Sequence, residues 1–248
     1  MQIQRNITLL QAEADNGYEC YFRLLINGSV RYITIDQGIW STDDMCFGPS
    51  LATILPDLPT GNWNDGLVSK HSETGEPYFA RATRTSFPGS RRLRTGVYEV
   101  KCPQFEELVA VKFARFDWEI RYMEGETAAY RFIEGYDIGP RFLGHLTEDS
   151  RVIVMERIAN ARHAGPRDLD ICQQTLVRLH ALGIRHGDVN RFNFLIRDEK
   201  AILFDLDTAR KCDDPKLLAE ELRNLQEALE SSSDKGGGGY LSYDAVGF

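Results

Sequence analysis

Six side chains able to bind metals or protons, His186, Asp188, Asn190, Asn193, Asp205 and Asp207, fall within 22 residues flanked by strongly patterned apolar segments. Upstream, Leu169, Cys172, Leu176 and Leu179 recur at helical spacing through Asp168–Leu182, and Gly183 stands where a helix C-cap is expected. Downstream, the short apolar runs Phe194–Ile196 and Ala201–Phe204 flank a turn at Arg197–Lys200, which predicts a small hairpin. A helix and a hairpin therefore enclose a polar loop, and the fold has to accommodate that loop.

The chain has 248 residues, 42% of them apolar, enough to bury a core for one two-lobed domain or two small ones. No apolar run approaches the roughly 18 residues that span a bilayer, and Met1–Leu10 lacks the basic-then-apolar order of a signal peptide. A soluble intracellular protein, cytoplasmic or nuclear and without a membrane partner, is expected. Its five cysteines are scattered, with no C-x-x-C pair or Cys/His cluster, and read as reduced structural thiols. A net charge of −8 disfavours nucleic acid as a partner, because affinity for a phosphate backbone needs accumulated Lys and Arg. The local exception is Arg81, Arg84, Arg91, Arg92 and Arg94.

Further elements follow from periodicity and turn chemistry. Tyr21–Ile26 and Val30–Ile35 flank Asn27-Gly28, a dipeptide suited to a tight hairpin. The span Leu55–Gly61 is rich in proline and glycine and marks a candidate boundary. Strands are expected near Leu67–His71, Pro77–Thr85, Gly96–Val100 and Leu108–Ala114, then at Arg141–Leu146 and Arg151–Ile158. A helix is expected over Asp117–Glu134, with Asp117 as N-cap and Gly135 as stop. Another starts at Asp214-Pro215 and carries Leu218, Leu222, Leu225 and Leu229 on one face. Trp40, Trp63 and Trp118 are expected in the core or at an interface. The tail, with its S-S-S and G-G-G-G runs, reads as mobile.

The run His186-Gly187-Asp188-Val189-Asn190-Arg191-Phe192-Asn193-Phe194-Leu195, with Phe204-Asp205-Leu206-Asp207 after it, resembles the catalytic loop and metal-binding motif of the protein-kinase-like superfamily. The Asp-to-Asn spacing of that loop is kept between Asp188 and Asn193, and the strand V-A-V-K ending in Lys112 resembles the V-A-I-K strand. H-G-D in place of H-R-D points to the small atypical branches, which include RIO-like and Bud-type kinases and aminoglycoside or choline phosphotransferases. Leu108–Cys212 is also similar to fungal kinase-like proteins of unassigned role, some of them labelled α-galactosidase. No glycosidase carboxylate pair stands apart from the residues already covered by the kinase resemblance.

The resemblance implies a fold, a reaction and a set of roles. The fold is α+β and two-lobed: a β-rich extension over 1–65, an N-lobe over 66–158, a short helical C-lobe over 159–230 and a tail over 231–248. The reaction is phosphoryl transfer from ATP, with Mg²⁺, to a hydroxyl on a small molecule or protein. Asp188 would orient and deprotonate the acceptor hydroxyl, and Asn193 and Asp205 would supply oxygen ligands to Mg²⁺. Lys112 would grip the ATP phosphates, with Glu126 chosen over Glu119 and Glu124 as its counter-charge. Glu156 and Ile158 would form a hinge whose backbone binds adenine. Asp207 reads either as a second metal ligand or as a turn cap, and His180 and His186 as packing or bracing residues.

Two departures from the superfamily pattern matter. No G-x-G-x-x-G precedes Lys112, so Arg81–Arg94 is expected either to cover the phosphates or to form a solvated basic surface. Only seven residues separate Asp207 from Pro215, with no A-P-E motif. A pseudokinase or protein-interaction module is the alternative reading.

Overall fold

The computed structural model describes residues 6–84, 90–94, 96–146 and 151–232. It is a mixed α+β structure that divides into two compact units. Among the described residues, no helix is long and apolar enough to cross a membrane. The tail read as mobile lies outside the described residues from position 233 onward.

The first unit comprises β1 (Ile7–Glu13), β2 (Cys20–Ile26), β3 (Ser29–Ile35), α1 (Thr42–Cys46), α2 (Gly48–Ile54), β4 (Asp65–Lys70) and β5 (Pro77–Thr83). They form one sheet in the order β1-β2-β3-β4-β5. Asn27 and Gly28 both take positive φ, 49° and 76°, as a two-residue turn between right-twisted strands requires. β3 and β4 run parallel, so the chain must cross over between them, and α1 and α2 lie in that crossover. The alternation of β2 buries Phe22 and Leu24 against Ile33, Ile35, Leu51, Met45 and Trp63. Trp40 packs at the margin of this core.

The ladders correct the expected division at residue 65. β4 pairs with β3, and β5 with β4, so the hydrogen-bonding needs of residues 65–83 are met inside the first sheet. The first unit therefore takes in the described residues up to Arg84, and the second those from Ser90 to Ser232.

The second unit begins with β6 (Arg91–Arg94), β7 (Val97–Lys101), β8 (Leu108–Phe113), α3 (Ile120–Phe132), β9 (Phe142–His145) and β10 (Val152–Glu156). It continues with β11 (Arg162–His163), α4 (Leu169–Ala181), β12 (Ile184–Arg185), β13 (Phe194–Arg197), β14 (Lys200–Leu203), β15 (Arg210–Lys211) and α5 (Pro215–Glu230). A five-stranded sheet has the order β6-β7-β8-β10-β9, all antiparallel, with β8 in the middle. A three-stranded sheet, β11-β13-β14, and the pair β12-β15 complete the unit.

The entry to α3 differs from expectation. Asp117–Glu119 is a 3₁₀ turn, and Glu119 accepts from the N–H groups of Arg115 and Phe116 at 2.7 and 3.1 Å. Glu119 rather than Asp117 thus satisfies the donors at this bend. Helix α4 buries Cys172, Leu176 and Leu179, and the Thr175 hydroxyl donates to Ala201 O on β14 at 3.0 Å. Each fully buried leucine contributes roughly 1.5–3 kcal/mol.

One continuous core joins Tyr130 and Met123 of α3 and Ile153 of β10 to Leu176, Leu203 and Leu225. The separation expected at residues 158 and 159 therefore does not mark two independent cores, because α3 packs against both sides of it.

Candidate functional site

β8 is hydrogen-bonded on both edges and buries Val109, Ala110 and Val111, which leaves Lys112 as a cation at the end of a core strand. A buried ammonium needs counter-charges. Lys112 Nζ donates to Glu126 Oε2 and to Asp205 Oδ1, each at 2.6 Å, and lies 3.5 Å from Asp207 Oδ2. Glu126 projects from the buried face of α3 and is 0% exposed. Asp205 follows β14 in the left-handed region, φ 63° and ψ 58°, and its N–H donates to Tyr130 Oη at 3.3 Å. Such a conformation is uncommon outside glycine and is held here by its surroundings.

The charges of this cluster set one another. Burial alone would push Lys112 down, but Asp205, Glu126 and Asp207 outweigh it and hold the ammonium well above the usual lysine value. Burial likewise works against Asp205, yet the Arg94 guanidinium and Lys112 keep its carboxyl well below the ordinary range. Burial and the neighbouring carboxylates raise Glu126 and Asp207, with Lys112 opposing. Of the three carboxyls, Asp205 is the one whose surroundings most favour the ionised form.

The polar loop is braced from beneath. Ile184 and Arg185 pair with Lys211 and Arg210, and His186 follows fully buried. Its Nδ1 accepts the Asp188 N–H at 3.2 Å, so its Nε2 carries the proton and donates to Phe204 O at 3.1 Å. Gly187 takes φ 88°, and a Cβ there would stand 2.9 Å from Thr208 O. Glu221 of α5 accepts from Gly187 N at 2.7 Å, His186 N at 3.1 Å and His180 Nε2 at 2.8 Å. Burial would raise Glu221, but these hydrogen bonds hold it below the usual glutamate value.

Asn190 caps the short 3₁₀ turn Arg191–Asn193 by accepting from Phe192 N at 2.9 Å. Asn190 Nδ2 donates to Asp188 Oδ2 at 3.2 Å, and Asn193 Nδ2 donates to Asp188 O at 2.9 Å. The second of these bonds points the Asn193 amide oxygen the other way. That oxygen is buried without a hydrogen-bond partner, although Asn193 is 0% exposed. A buried amide oxygen left unpaired is costly and calls for a partner such as a cation. Asn193 O also accepts from Phe204 N at 3.0 Å, which ties this loop to the residue before Asp205.

The structure thus brings Lys112, Glu126, Asp205 and Asp207 into one cluster and connects it through Phe204 to the loop bearing Asp188 and Asn193. Glu156 is tied to the segment ahead of β9. Its N–H already donates to Arg141 O at 2.9 Å, and its carboxylate accepts from Arg141 N and Nε at 3.3 Å. The adjacent Arg157 pairs with Glu99 of β7. The Glu156 N–H and side chain are thus both engaged within the protein.

Sequence reasoning missed Glu221 and named Arg94 only as one member of a basic stretch. Arg94 Nη2 lies 2.9 Å from Asp205 Oδ1, and its guanidinium sits 4.8 Å from the Phe204 ring centroid. The basic stretch is also not one loop: Arg81 lies on β5 of the first unit, whereas Arg91–Arg94 form β6 of the second. Glu221 was legible in principle, as a carboxylate within the leucine face of α5.

Chemically, the cluster offers ionised oxygen ligands and two cations side by side, a donor set suited to a hard divalent ion and to phosphate oxygens. Among the described residues, no group of three or more His, Cys, Asp or Glu is placed to hold a metal by itself. Any ion would need a further oxygen, such as the unpaired Asn193 amide oxygen. No protein-family model matches the chain, and no match was found among the curated proteins.

Proposed function

We propose that the second unit is a kinase-like phosphotransferase domain of the small atypical kind, using Mg·ATP to phosphorylate a hydroxyl acceptor. The observation that carries this reading is the unpaired, fully buried oxygen of Asn193 beside a loop that also presents Asp188, with Asp205 tied in through Phe204. The order of parts supports it. Lys112 lies on the third strand of its sheet, Glu126 on the helix that follows, and the Asp188–Asn193 loop precedes Asp205, as in protein kinases.

Mg²⁺ would be held by Asn193 and Asp205, with Asp207 adjacent, and would supply charge neutralisation at the phosphates. Lys112, kept charged by Glu126, would bind phosphate oxygens. The adenine contact falls to the Glu156 carbonyl and the Ile158 backbone. Asp188, oriented by Asn190 and Asn193, would accept the proton of the acceptor hydroxyl as its oxygen bonds to the γ-phosphorus and the bond to the β-phosphate bridging oxygen breaks, releasing ADP.

One observation favours the pseudokinase alternative: Asp205 Oδ1 already carries both Lys112 and Arg94. Incubation with γ-labelled ATP, Mg²⁺ and a mixed protein and metabolite extract separates the readings. Label transferred by the wild type and lost in Asp188→Asn supports the enzyme. Binding of Mg·ATP without transfer supports the pseudokinase, and no binding at millimolar Mg·ATP overturns both nucleotide readings.

A further inference from the structure

The chain lacks a glycine loop ahead of Lys112, yet the hairpin β6–β7 occupies the chain position from which such a loop would reach the phosphates. The last residue of β6 is Arg94. Its side chain is only 9% exposed, its guanidinium lies over the Phe204 ring, and it contacts Asp205 at 2.9 Å. A solvated basic loop would not bury its arginine in this way, because removing a guanidinium from water is costly without a stacking surface and an anion.

We infer that Arg94 is the phosphate-binding residue of the nucleotide site, replacing the backbone N–H groups of a glycine loop. This rests on the nucleotide reading above. In the nucleotide-free protein Asp205 serves as its anion. With Mg·ATP bound, Asp205 would serve as a ligand to the metal and the Arg94 guanidinium would bind phosphate oxygens, which match its planar fork as well as a carboxylate does. The exchange needs little movement, since Arg94 and Lys112 already meet at the same oxygen, Asp205 Oδ1.

Charge explains why the residue is required. Lys112 and Arg94 contribute two positive charges, and Glu126, Asp205 and Asp207 contribute up to three negative ones. Without Arg94, a polyanionic ligand would face three carboxylates with Lys112 as the one cation named in this cluster. The ligand class favoured by Arg94 is therefore a nucleoside polyphosphate accompanied by a metal, rather than a nucleoside or metal-free nucleotide.

The test is calorimetric binding of adenosine, Mg·ADP, Mg·ATP and metal-free ATP to the full chain, comparing wild type with Arg94→Gln and Arg94→Lys. Circular dichroism and melting curves establish that each variant is folded. In Arg94→Gln, affinity for Mg·ATP is expected to fall about 10- to 100-fold, as for loss of a charge-assisted hydrogen-bonding group, with adenosine affinity within about twofold of wild type. Arg94→Lys should recover part of the loss, and wild type should prefer Mg·ATP to metal-free ATP. Unchanged or tighter Mg·ATP binding by Arg94→Gln would make Arg94 a plug and overturn the inference alone. Equal losses for adenosine and Mg·ATP would make it a structural residue, again overturning only the inference. Failure of the wild type to bind any of the four ligands would overturn the nucleotide reading and the inference with it.

Discussion

Lys112 donates to Asp205 at 2.6 Å across 93 positions of sequence. Together with Glu126, Asp205 surrounds this one ammonium with carboxylate, so the cluster is both a structural ion-pair network and the centre of the candidate site. Lys112→Met should abolish Mg·ATP binding and also destabilise the fold, by about 3–5 kcal/mol, because it leaves Glu126 buried without its cation. Adding Glu126→Gln should recover part of that stability but none of the binding. Denaturant melts of the two single variants and the double variant measure the coupling, and additive losses would show that the pair is not energetically linked.

Asp188 has no cation of its own among these contacts; its carboxylate accepts from two asparagine amides. Asp188→Asn should therefore leave nucleotide affinity within about twofold while cutting turnover by about 10²–10⁴, the usual range for a general base. Parallel binding and turnover measurements check this. An equal loss of both would make Asp188 a structural or metal-binding residue.

The loop beneath Asp188 depends on Glu221. Its carboxyl has a lowered folded-state value, so its contribution to stability is fully present above the ordinary glutamate value of about 4.3 and is lost as pH falls through the lower folded value. Glu221→Gln should destabilise the protein at pH 7 by about 1–3 kcal/mol, the range for a buried hydrogen-bonded charge. The difference from wild type should shrink as pH drops from about 4.3 toward 3. Melting temperatures across that interval are the measurement, and a constant difference would show that the charge is not what holds the loop.

Two glycines separate backbone requirement from propensity. Gly187 has φ 88°, and a Cβ would press on a backbone oxygen, so Gly187→Ala should destabilise by about 1–3 kcal/mol and reduce turnover by displacing Asp188. Gly125 lies inside α3 with open space where its Cβ would stand. Gly125→Ala should stabilise by about 0.5–1 kcal/mol. Thermal melts of the two variants should shift in opposite directions.

Elements with their own local signal were legible in the sequence. Asn27-Gly28 between alternating strands fixed the β2–β3 hairpin, and the leucine spacing of α4 with Gly183 behind it fixed that helix. Lys112 pointed to Glu126 because a cation in a core strand requires an anion on the packed helix. β1, β6, α1 and α2 were not read. α1 has only five residues, β1 is an edge strand whose burial is incomplete, and β6 is four residues containing three arginines, which read as loop. The boundary was misplaced because proline and glycine at 55–61 lie in the connection from α2 to β4, whereas the parallel pairing of β3 with β4 is set by tertiary packing. The partners of Arg94 and Glu221 could not be assigned for the same reason: they lie far off in sequence, and no spacing rule connects them.

On the phosphotransferase reading proposed above, the route from Asp207 to α5 limits what the acceptor could be. Leu206–Thr208 is a 3₁₀ turn, Arg210–Lys211 is committed to pairing with Ile184–Arg185, and Asp214 already caps α5 by accepting from Lys216 N at 2.8 Å. Every part of this segment is therefore used in structure, and Thr208 itself donates to His186 O at 2.8 Å. A protein kinase uses a much longer segment here, both as a platform for extended peptide and as the carrier of a regulatory phosphosite. This chain has room for neither. Activity should thus be present without prior phosphorylation of the segment, and extended peptides should be poor acceptors compared with a small molecule or a folded protein. Purified protein treated with phosphatase and offered Mg·ATP with a degenerate Ser/Thr/Tyr peptide library provides the measurement, with a metabolite mixture assayed alongside. Weak, unselective peptide labelling beside clear labelling in the metabolite or folded-protein fraction is the expected result. Strong labelling with a defined sequence preference around the acceptor would mean that another surface replaces the missing platform, and the preference for compact acceptors would be wrong.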